Sequence, residues 1–579
     1  MQEKVTNHRT YPLKKRIFTE STISNSLAVL IGVLTGLAIV LYDRLILQSN
    51  KLFFGTISDS PNYYVIFIPA LGGLLVGILA YSFVKTRRCD IEEVIEASTL
   101  HAGKLRTKNA FLEVLASVIT IGSGGSAGKE APGVLAGAGI GSLIAQIFNI
   151  SGNRLRIMLG CGASAGIAAA FNAPLAGVVF VVEVIFGELE TKTFIPIVIS
   201  AVFATITANL VFGVRHIQIS YYGLVSPLYE SVLYLILGLL AGIISALLIR
   251  STYLFHDGFN KIPIHPMLKP AIGGLGVGLI GFFYPQVFGV GYGVITDVLA
   301  NKFTLDILVI LLFLKIITFS LTLGSGGSGG SIVPALFSGA MLGGAFGTVV
   351  HAAFPAITAE PGAYALVGMG AVLAGTARAP LTAMLILFEL TMDYNIMLPL
   401  MFACVVSNVT SSSLHSESIF TEGLRRRGFT IRKGHEIDVM ESMLVRDAMK
   451  QHVQTVSADK NVGTLISLMQ SSRHAGFPVL DQKGVLCGIV TLEDVREKVK
   501  YGELETIIRD IASFDVIVAY PDESLNTILE RLAMHDIGRL PVVSRFDDAK
   551  LLGMITRSDV VNSYNKKVVS KVQKKRDVG

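Results

Sequence analysis

The chain is 579 residues long, with 49 Lys and Arg against 43 Asp and Glu and a formal net charge of +6. Only 16% of its residues are charged and its mean hydropathy is +0.59, which excludes an ordinary soluble protein and puts most of the chain in lipid. Cys89, Cys161, Cys404 and Cys487 show neither paired nor metal-ligand spacing, which argues against a disulfide framework and a zinc site and for packing residues.

Residues 1–23 are polar and carry Lys14, Lys15 and Arg16. No small-residue cleavage site precedes the first apolar run, so they read as a cytoplasmic segment under the positive-inside rule and not as a removable signal. The runs 26–47, 64–84, 231–248 and 305–321 are each long enough to cross a hydrocarbon core as helices. Glycine, at 58 residues, exceeds its usual share of about 7%; small faces let membrane helices approach closely. The expected fold is a multi-pass α-helical membrane protein over residues 24–428.

An internal repeat organises this region. GSGGSAGKEAP (122–132) and GSGGSGGSIVP (324–334) match at seven of eleven positions, 202 residues apart. NAPLAGVVFVVE (172–183) and RAPLTAMLILFE (378–389) follow in the same order, 206 apart. Two halves, about 24–215 and 225–428, are therefore duplicated, and transporter halves of this kind are often inverted about a shared site near the bilayer midplane. At SESIFTEGLRRRG (416–428) the composition turns charged and globular. A linker (429–442) leads to a second repeat: VRDAM, GFPVLD and GIVTLED within 443–500, then IRDIA, RLPVVS and GMITRSD within 506–566, each read as a small α/β unit. The basic tail 567–579 reads as a solvated or lipid-headgroup contact in preference to a nucleic-acid one.

Both Gly-rich turns precede helix-forming runs. A helix N-terminus offers unpaired N–H groups and about half a positive charge, so it attracts anions without a fixed cation, and weakly enough for release. GSGGSG at 324–329 formally matches a dinucleotide fingerprint, but it follows an apolar run of membrane length and not a strand; GSGGSAGK has Ser123 and Glu130 where a phosphate loop needs Gly and Ser or Thr. Glu130, ionisable and set in a Gly-rich break between apolar segments, is expensive unless it has a task. Ionised, it can take an anion's place; protonated or displaced, it frees that place, which makes it a candidate gate. Glu183 and Glu389 recur at matching places in the two halves and point to a structural role at helix ends. Arg378 and His101 receive no assignment.

Together GKEAP, AAAFNAPLAGVVFVVE, GSIVP and SIFTEGLRRRG resemble the CLC chloride channels and chloride/proton exchangers over roughly residues 24–428, and the paired GIVTLED and GMITRSD units resemble the CBS domains that many members carry. The resemblance implies a CLC-like inverted repeat with a cytoplasmic tandem CBS domain, a homodimer with one pathway per subunit, and chloride or a similar anion as cargo. GKEAP stands where the family has GREGP, making Glu130 the external gating glutamate, with Lys129 and Ala131 as departures beside it. GSIVP stands at the family's GxFxP, offering the amides of Ser331, Ile332 and Val333. Phe420 stands where the family usually has a tyrosine that contacts the central anion, and Cys89, in RCDIEE, where it has a serine. Val184 occupies the place of the inner proton-delivering glutamate of coupled members and so resembles the channels. For the tail the resemblance implies an adenine nucleotide (ATP, ADP or AMP), with Asp494 and Asp559 accepting ribose hydroxyls and Thr491 and Thr556 nearby.

The expected function is a chloride channel gated by Glu130 and regulated by nucleotide at the CBS pair, without a metal or a cofactor in the pore. It is expected in a bacterial inner membrane with both termini cytoplasmic. The alternatives are a chloride/proton antiporter of the same family and, from another class, a CBS-linked nucleotide sensor or cation transporter, which the lack of an intramembrane acidic cluster disfavours. An enzyme is not expected, because no nucleophile with a base and no acid pair stands at a workable spacing.

Overall fold

A computed structural model describes residues 13–55, 63–84, 90–150, 152–187, 191–213, 227–427, 429, 443–472, 474–500, 503–535, 537–545 and 547–563. Cys89, residues 1–12, most of the linker and the basic tail lie outside them. The chain divides into two compact units, Met1–Glu436 and Ile437–Gly579.

Among the described residues of the first unit, nine helices are long and apolar enough to cross a membrane, from Thr22–Phe54 to Met397–Leu414. The chain is a multi-pass membrane protein. Its first half runs α1 (Leu13–Phe54), α2 (Tyr64–Leu79), α3 (Ile91–Leu100), α4 (Thr107–Gly122), α5 (Glu130–Ile147), α6 (Asn153–Phe171), α7 (Pro174–Phe180) and α8 (Thr191–Phe212). The second half answers with α9 (Pro227–Lys261), α10 (Lys269–Phe283), α11 (Tyr292–Leu299), α12 (Leu305–Ser325), α13 (Ile332–Ala353), α14 (Pro361–Ala377), α15 (Pro380–Thr391) and α16 (Met397–Leu414), before the short α17 (Glu422–Arg426).

Equivalent helices break at equivalent places. α6 ends at Asn172 and α14 at Arg378, both left-handed (φ 56° and 60°), and Ala-Pro restarts the chain in each case. Proline at the first helical position suits the restart because its missing N–H is one the helix cannot use.

Glycine sets the helix spacing. A Cβ on Gly162 of α6 falls 1.8 Å from the carbonyl oxygen of Gly137 on α5, and one on Gly137 falls 2.0 Å from that of Gly162. The second half repeats the crossing: Gly339 of α13 and Gly368 of α14 each leave 2.3 Å between an added Cβ and the other's carbonyl oxygen. Backbones this close admit no side chain, and close packing substitutes for the hydrophobic drive that lipid does not supply.

The second unit holds two apolar cores. One carries the three-stranded sheet β1 (Val456–Ser457), β2 (Gly476–Leu480) and β3 (Leu486–Thr491), parallel between β1 and β2 and antiparallel between β2 and β3, with α19 (Val462–Ser472, numbered after the short α18, Val445–Ala448). The other carries the antiparallel pair β4 (Arg539–Ser544) and β5 (Asp547–Thr556) with α21 (Leu525–Met534, after α20, Leu492–Lys500). The cores and the sequence repeats are offset. Met443 and Val445, which open the first repeat, pack with Leu525, Ile528 and Val542 of the second, while Ile508 packs with Val462 and Phe477 of the first. Backbone pairing follows this exchange, as Lys450 bonds with Met554 and Ile489 with Ser513.

Gly162→Ala is expected to lower stability by ~1–3 kcal/mol or more through overpacking, whereas Gly258→Ala, with nothing within 4 Å of the new methyl, is expected to be neutral or to gain ~0.5–1 kcal/mol of helix propensity. Thermal unfolding in detergent measures both.

Candidate anion site

The two Gly-rich turns are hydrogen-bonded to one another. Gly128 N–H donates to Gly330 O at 2.8 Å and Gly330 N–H to Gly128 O at 2.7 Å, an antiparallel bridge across the halves. Side chains flank it reciprocally: Ser126 N–H donates to Thr322 Oγ1 and Ser328 N–H to Thr120 Oγ1, both at 3.1 Å. The turns are buried and therefore satisfy each other's backbone groups, as irregular backbone inside a membrane protein must.

Two residues after each bridge glycine a helix begins, α5 at Glu130 and α13 at Ile332. Their N-termini lie side by side: a Cβ on Gly330 falls 2.8 Å from Ala131 Cβ. Each helix carries proline third (Pro132, Pro334), so the amides open to a ligand are those just before it, on Glu130 and Ala131 and on Ile332 and Val333. Ser331 caps α13 without a side-chain bond.

Glu130 is completely buried. Tyr292 donates its hydroxyl to Glu130 Oε1 at 2.7 Å, and Oε2 has no hydrogen-bond partner among the described residues. The carboxylate folds back over its own turn, since Oε2 lies 2.7 Å from where a Cβ on Gly128 would stand. Lys129 pairs with Asp43 of α1 at 2.7 Å. Its ammonium is already balanced, so the charge of Lys129, one of the residues expected around an anion, is spent on Asp43.

Phe420 is buried and sets its ring edge-on to Phe180 at the end of α7, 6.4 Å between centroids. Past Phe180 the helix widens into the π-helical turn Val181–Phe186, which buries Val184. Asp90, following Cys89, caps α3 by accepting from Ile91 N–H at 2.7 Å. The segment after Phe420 is tied down: Arg427 bonds Glu96 at 2.6 Å and also Glu92, both on α3, while Arg425 and Arg426 bond the buried Glu422.

Glu183 and Glu389 each cap the helix that the other half contributes. Glu183 accepts from the amides of Leu381 (3.1 Å) and Thr382 (2.8 Å) at the start of α15; Glu389 accepts from those of Leu175 (3.0 Å) and Ala176 (2.8 Å) at the start of α7. The helix-end role read from their recurrence is the one the geometry gives them. Arg378 donates to the carbonyls of Asn408 and His415, joining α14 to α16, and His101 faces Glu96 at 3.8 Å.

Sequence reasoning passed over Tyr292 and Lys315. Lys315 is fully buried on α12 and donates to the carbonyls of Val287 (3.1 Å) and Gly289 (3.0 Å). Its signal was available, because a lone lysine inside LLFLKIITF is costly in a membrane helix. Tyr292, in GVGYG, has no local signal; its contact with Glu130 spans 162 residues.

In the second unit the two Thr-x-x-Asp turns are built alike. Asp494 Oδ2 accepts from Thr491 N–H and Oγ1, both at 2.7 Å, and Asp559 Oδ2 from Thr556 N–H (3.1 Å) and Oγ1 (2.5 Å). The remaining oxygen of Asp494 has no bond among the described residues, and that of Asp559 faces Lys450 at 3.5 Å.

Two inverted halves that point two helix N-termini at one place inside the membrane are the build of an anion transport protein. The family model described as voltage gated chloride channel matches residues 72–412, and that of the CBS domain residues 445–501 and 508–566. The chain belongs to this chloride channel family, the CLC proteins, and ends in paired CBS domains. It is 34% identical to a ClcB-like protein of Ralstonia nicotianae over 70% of this chain and 98% of the relative. It is 31% identical to the voltage-gated ClC-type chloride channel ClcB of Escherichia coli over 68% and 97%. In fold it is similar to a slow cyanobacterial chloride/proton antiporter (TM-score 0.64, 24% identity, covering 70% of this chain and 97% of that one) and to a eukaryotic CLC transporter (0.63, 20%, 93% and 97%). Chloride transport is the activity the CLC family assigns.

Glu183→Ala and Glu389→Ala are each expected to cost ~1–3 kcal/mol, because two helix-end amides lose their acceptor, while chloride flux per folded molecule stays within about twofold of wild type. A thermal melt beside a liposome flux assay separates this capping role from proton transfer, which would remove flux or coupling instead.

Proposed function

We propose that the protein is a passive chloride channel in which Glu130 is the gate. The carrying observation is the buried carboxylate, half unpaired, at the meeting point of two helix N-termini. An anion and an ionised Glu130 compete for the same partial positive charge. The amides of Glu130, Ala131, Ser331, Ile332 and Val333 supply the attraction, and Phe420, lacking a hydroxyl, leaves the inner contact to backbone groups. Val184 supports the channel over the antiporter, since a buried valine can neither take nor deliver a proton. The membrane is the bacterial inner membrane, with both termini on its cytoplasmic side.

Adenine nucleotide binds the CBS pair in this reading, with Asp494 and Asp559 accepting from ribose through the oxygens not bonded to Thr491 and Thr556, the one on Asp559 exchanging its contact with Lys450. A nucleotide that favours one arrangement of the pair shifts gating by its difference in affinity.

The working unit is a homodimer. Glu183 remains partly open where α7 and α15 meet, with Leu175 and Leu381 more than half exposed beside it and apolar side chains such as Val405 and Val409 bare on α16. A carboxylate facing lipid is costly, and a second copy over this face removes the cost. Light scattering of the detergent-solubilised protein is expected to give twice the 62.0 kDa chain mass; a monomer sinks the dimer.

Purified protein in liposomes under a chloride gradient, with chloride efflux and external pH recorded together, tests the pathway. The expected outcome is chloride efflux without uphill proton movement, raised severalfold in Glu130→Ala, and altered by millimolar ATP in wild type but not in Asp559→Ala. Uphill proton transport driven by chloride would make the protein the antiporter.

A further inference from the structure

Glu130 receives only one side-chain hydrogen bond among the described residues, and it comes from the other half of the molecule. Tyr292 opens α11, directly after the loop 284–291. That loop has little internal order to hold it: a single 3-10 turn (Pro285–Val287) is followed by Gly289 and Gly291, both left-handed at φ 57° and 92°.

It is held from outside at three points. Lys315 donates to the carbonyls of Val287 and Gly289 and lies 4.8 Å over the ring of Phe337. Gly289 N–H donates to Gly124 O, in the first Gly-rich turn, at 3.3 Å. Phe288 fills the space that Gly124 and Gly281 leave open, 3.1 Å and 2.0 Å from where their Cβ atoms would stand. A buried lysine with no ion pair among the described residues is a costly way to fasten a loop, and a methionine of similar length would fill the volume without a charge. What the ammonium adds is direction: two carbonyls fixed on either side of Phe288, and with them the start of α11.

The repeat gives the loop a place in the pathway. The offset of 202 that aligns the Gly-rich turns aligns Tyr292 with Asp90 and Gly291 with Cys89. Tyr292 therefore opens α11 at the position where Asp90 caps α3. In an inverted repeat, equivalent loops approach a shared site from opposite sides of the membrane.

We propose that Tyr292 is a latch on the Glu130 gate, its hydroxyl holding the carboxylate in the obstructing position, and that Lys315 is the positioning residue that presents it. The inference rests on Glu130 being the gate. A hydrogen bond from a neutral donor to a charged acceptor biases an equilibrium by roughly ten- to a hundredfold. The carboxylate leaves its seat only when this bond breaks or the loop moves, so the loop becomes a second element through which opening can be controlled.

Five full-length proteins in liposomes test this by initial chloride efflux: wild type, Tyr292→Phe, Lys315→Met, Glu130→Ala and the double variant Glu130→Ala/Tyr292→Phe. Tyr292→Phe keeps the ring and removes only the hydroxyl. The expected result is a severalfold rise in efflux for Tyr292→Phe, approaching Glu130→Ala, a smaller rise for Lys315→Met, and no difference between Glu130→Ala and the double variant. A merely structural tyrosine would change flux equally in both backgrounds, and that result overturns the latch. Wild-type flux in Tyr292→Phe with altered flux in Glu130→Ala also overturns it while leaving the gate standing. Unaltered flux in Glu130→Ala removes the gate, and the latch with it. Should Lys315→Met fail to fold, the Tyr292 and Glu130 variants decide the latch without it.

Discussion

Two hydrogen bonds between Gly128 and Gly330 carry the logic of the membrane unit. Helices broken within a bilayer leave N–H and C=O groups that nothing in hydrocarbon can satisfy. Here the breaks satisfy one another, which requires the turns to meet at backbone distance and so to be built from glycine and serine. Once they meet, α5 and α13 must begin together, and two positive helix ends share one place. The pairing of positive helix ends is a consequence of how the protein solves a hydrogen-bonding problem, and it needs no fixed cation.

The same reciprocity recurs at two further places where the halves touch. Thr120 and Thr322 exchange amides of the opposite turn, and Glu183 and Glu389 exchange helix ends. Other pairs break the symmetry. Glu130 stands opposite Ile332, Lys129 opposite Ser331, and Lys315 opposite Glu113 at the repeat offset. The duplicated scaffold thus carries a carboxylate at one helix start and an isoleucine at the other.

Much of this was legible from the residues. The apolar runs marked the helices, the two Gly-rich turns marked the breaks, and their spacing marked the duplication, because membrane helices and their interruptions are written locally. Glu130 was legible for a similar reason: a charge in an apolar, Gly-rich break needs an explanation wherever it occurs. Tyr292 was not, since a tyrosine in an apolar stretch carries no sign of a partner 162 residues away. The exchange of leading segments between the CBS cores was hidden too. Motif repeats record ancestry along the chain, while Val445 and Ile508 pack where burial is best.

The placement of charge follows from the demand for release. A cation in contact with a dehydrated anion would bind it by many times the thermal energy, and conduction would stop. The protein keeps its cations close but occupied: Lys129 on Asp43, Lys315 on two carbonyls. Held this way neither ammonium is left free to ligate an anion, and partial charge at the helix ends remains. The carboxylate of Glu130, buried beside the helix ends with one oxygen unpartnered among the described residues, is the group on which the proposed gate turns.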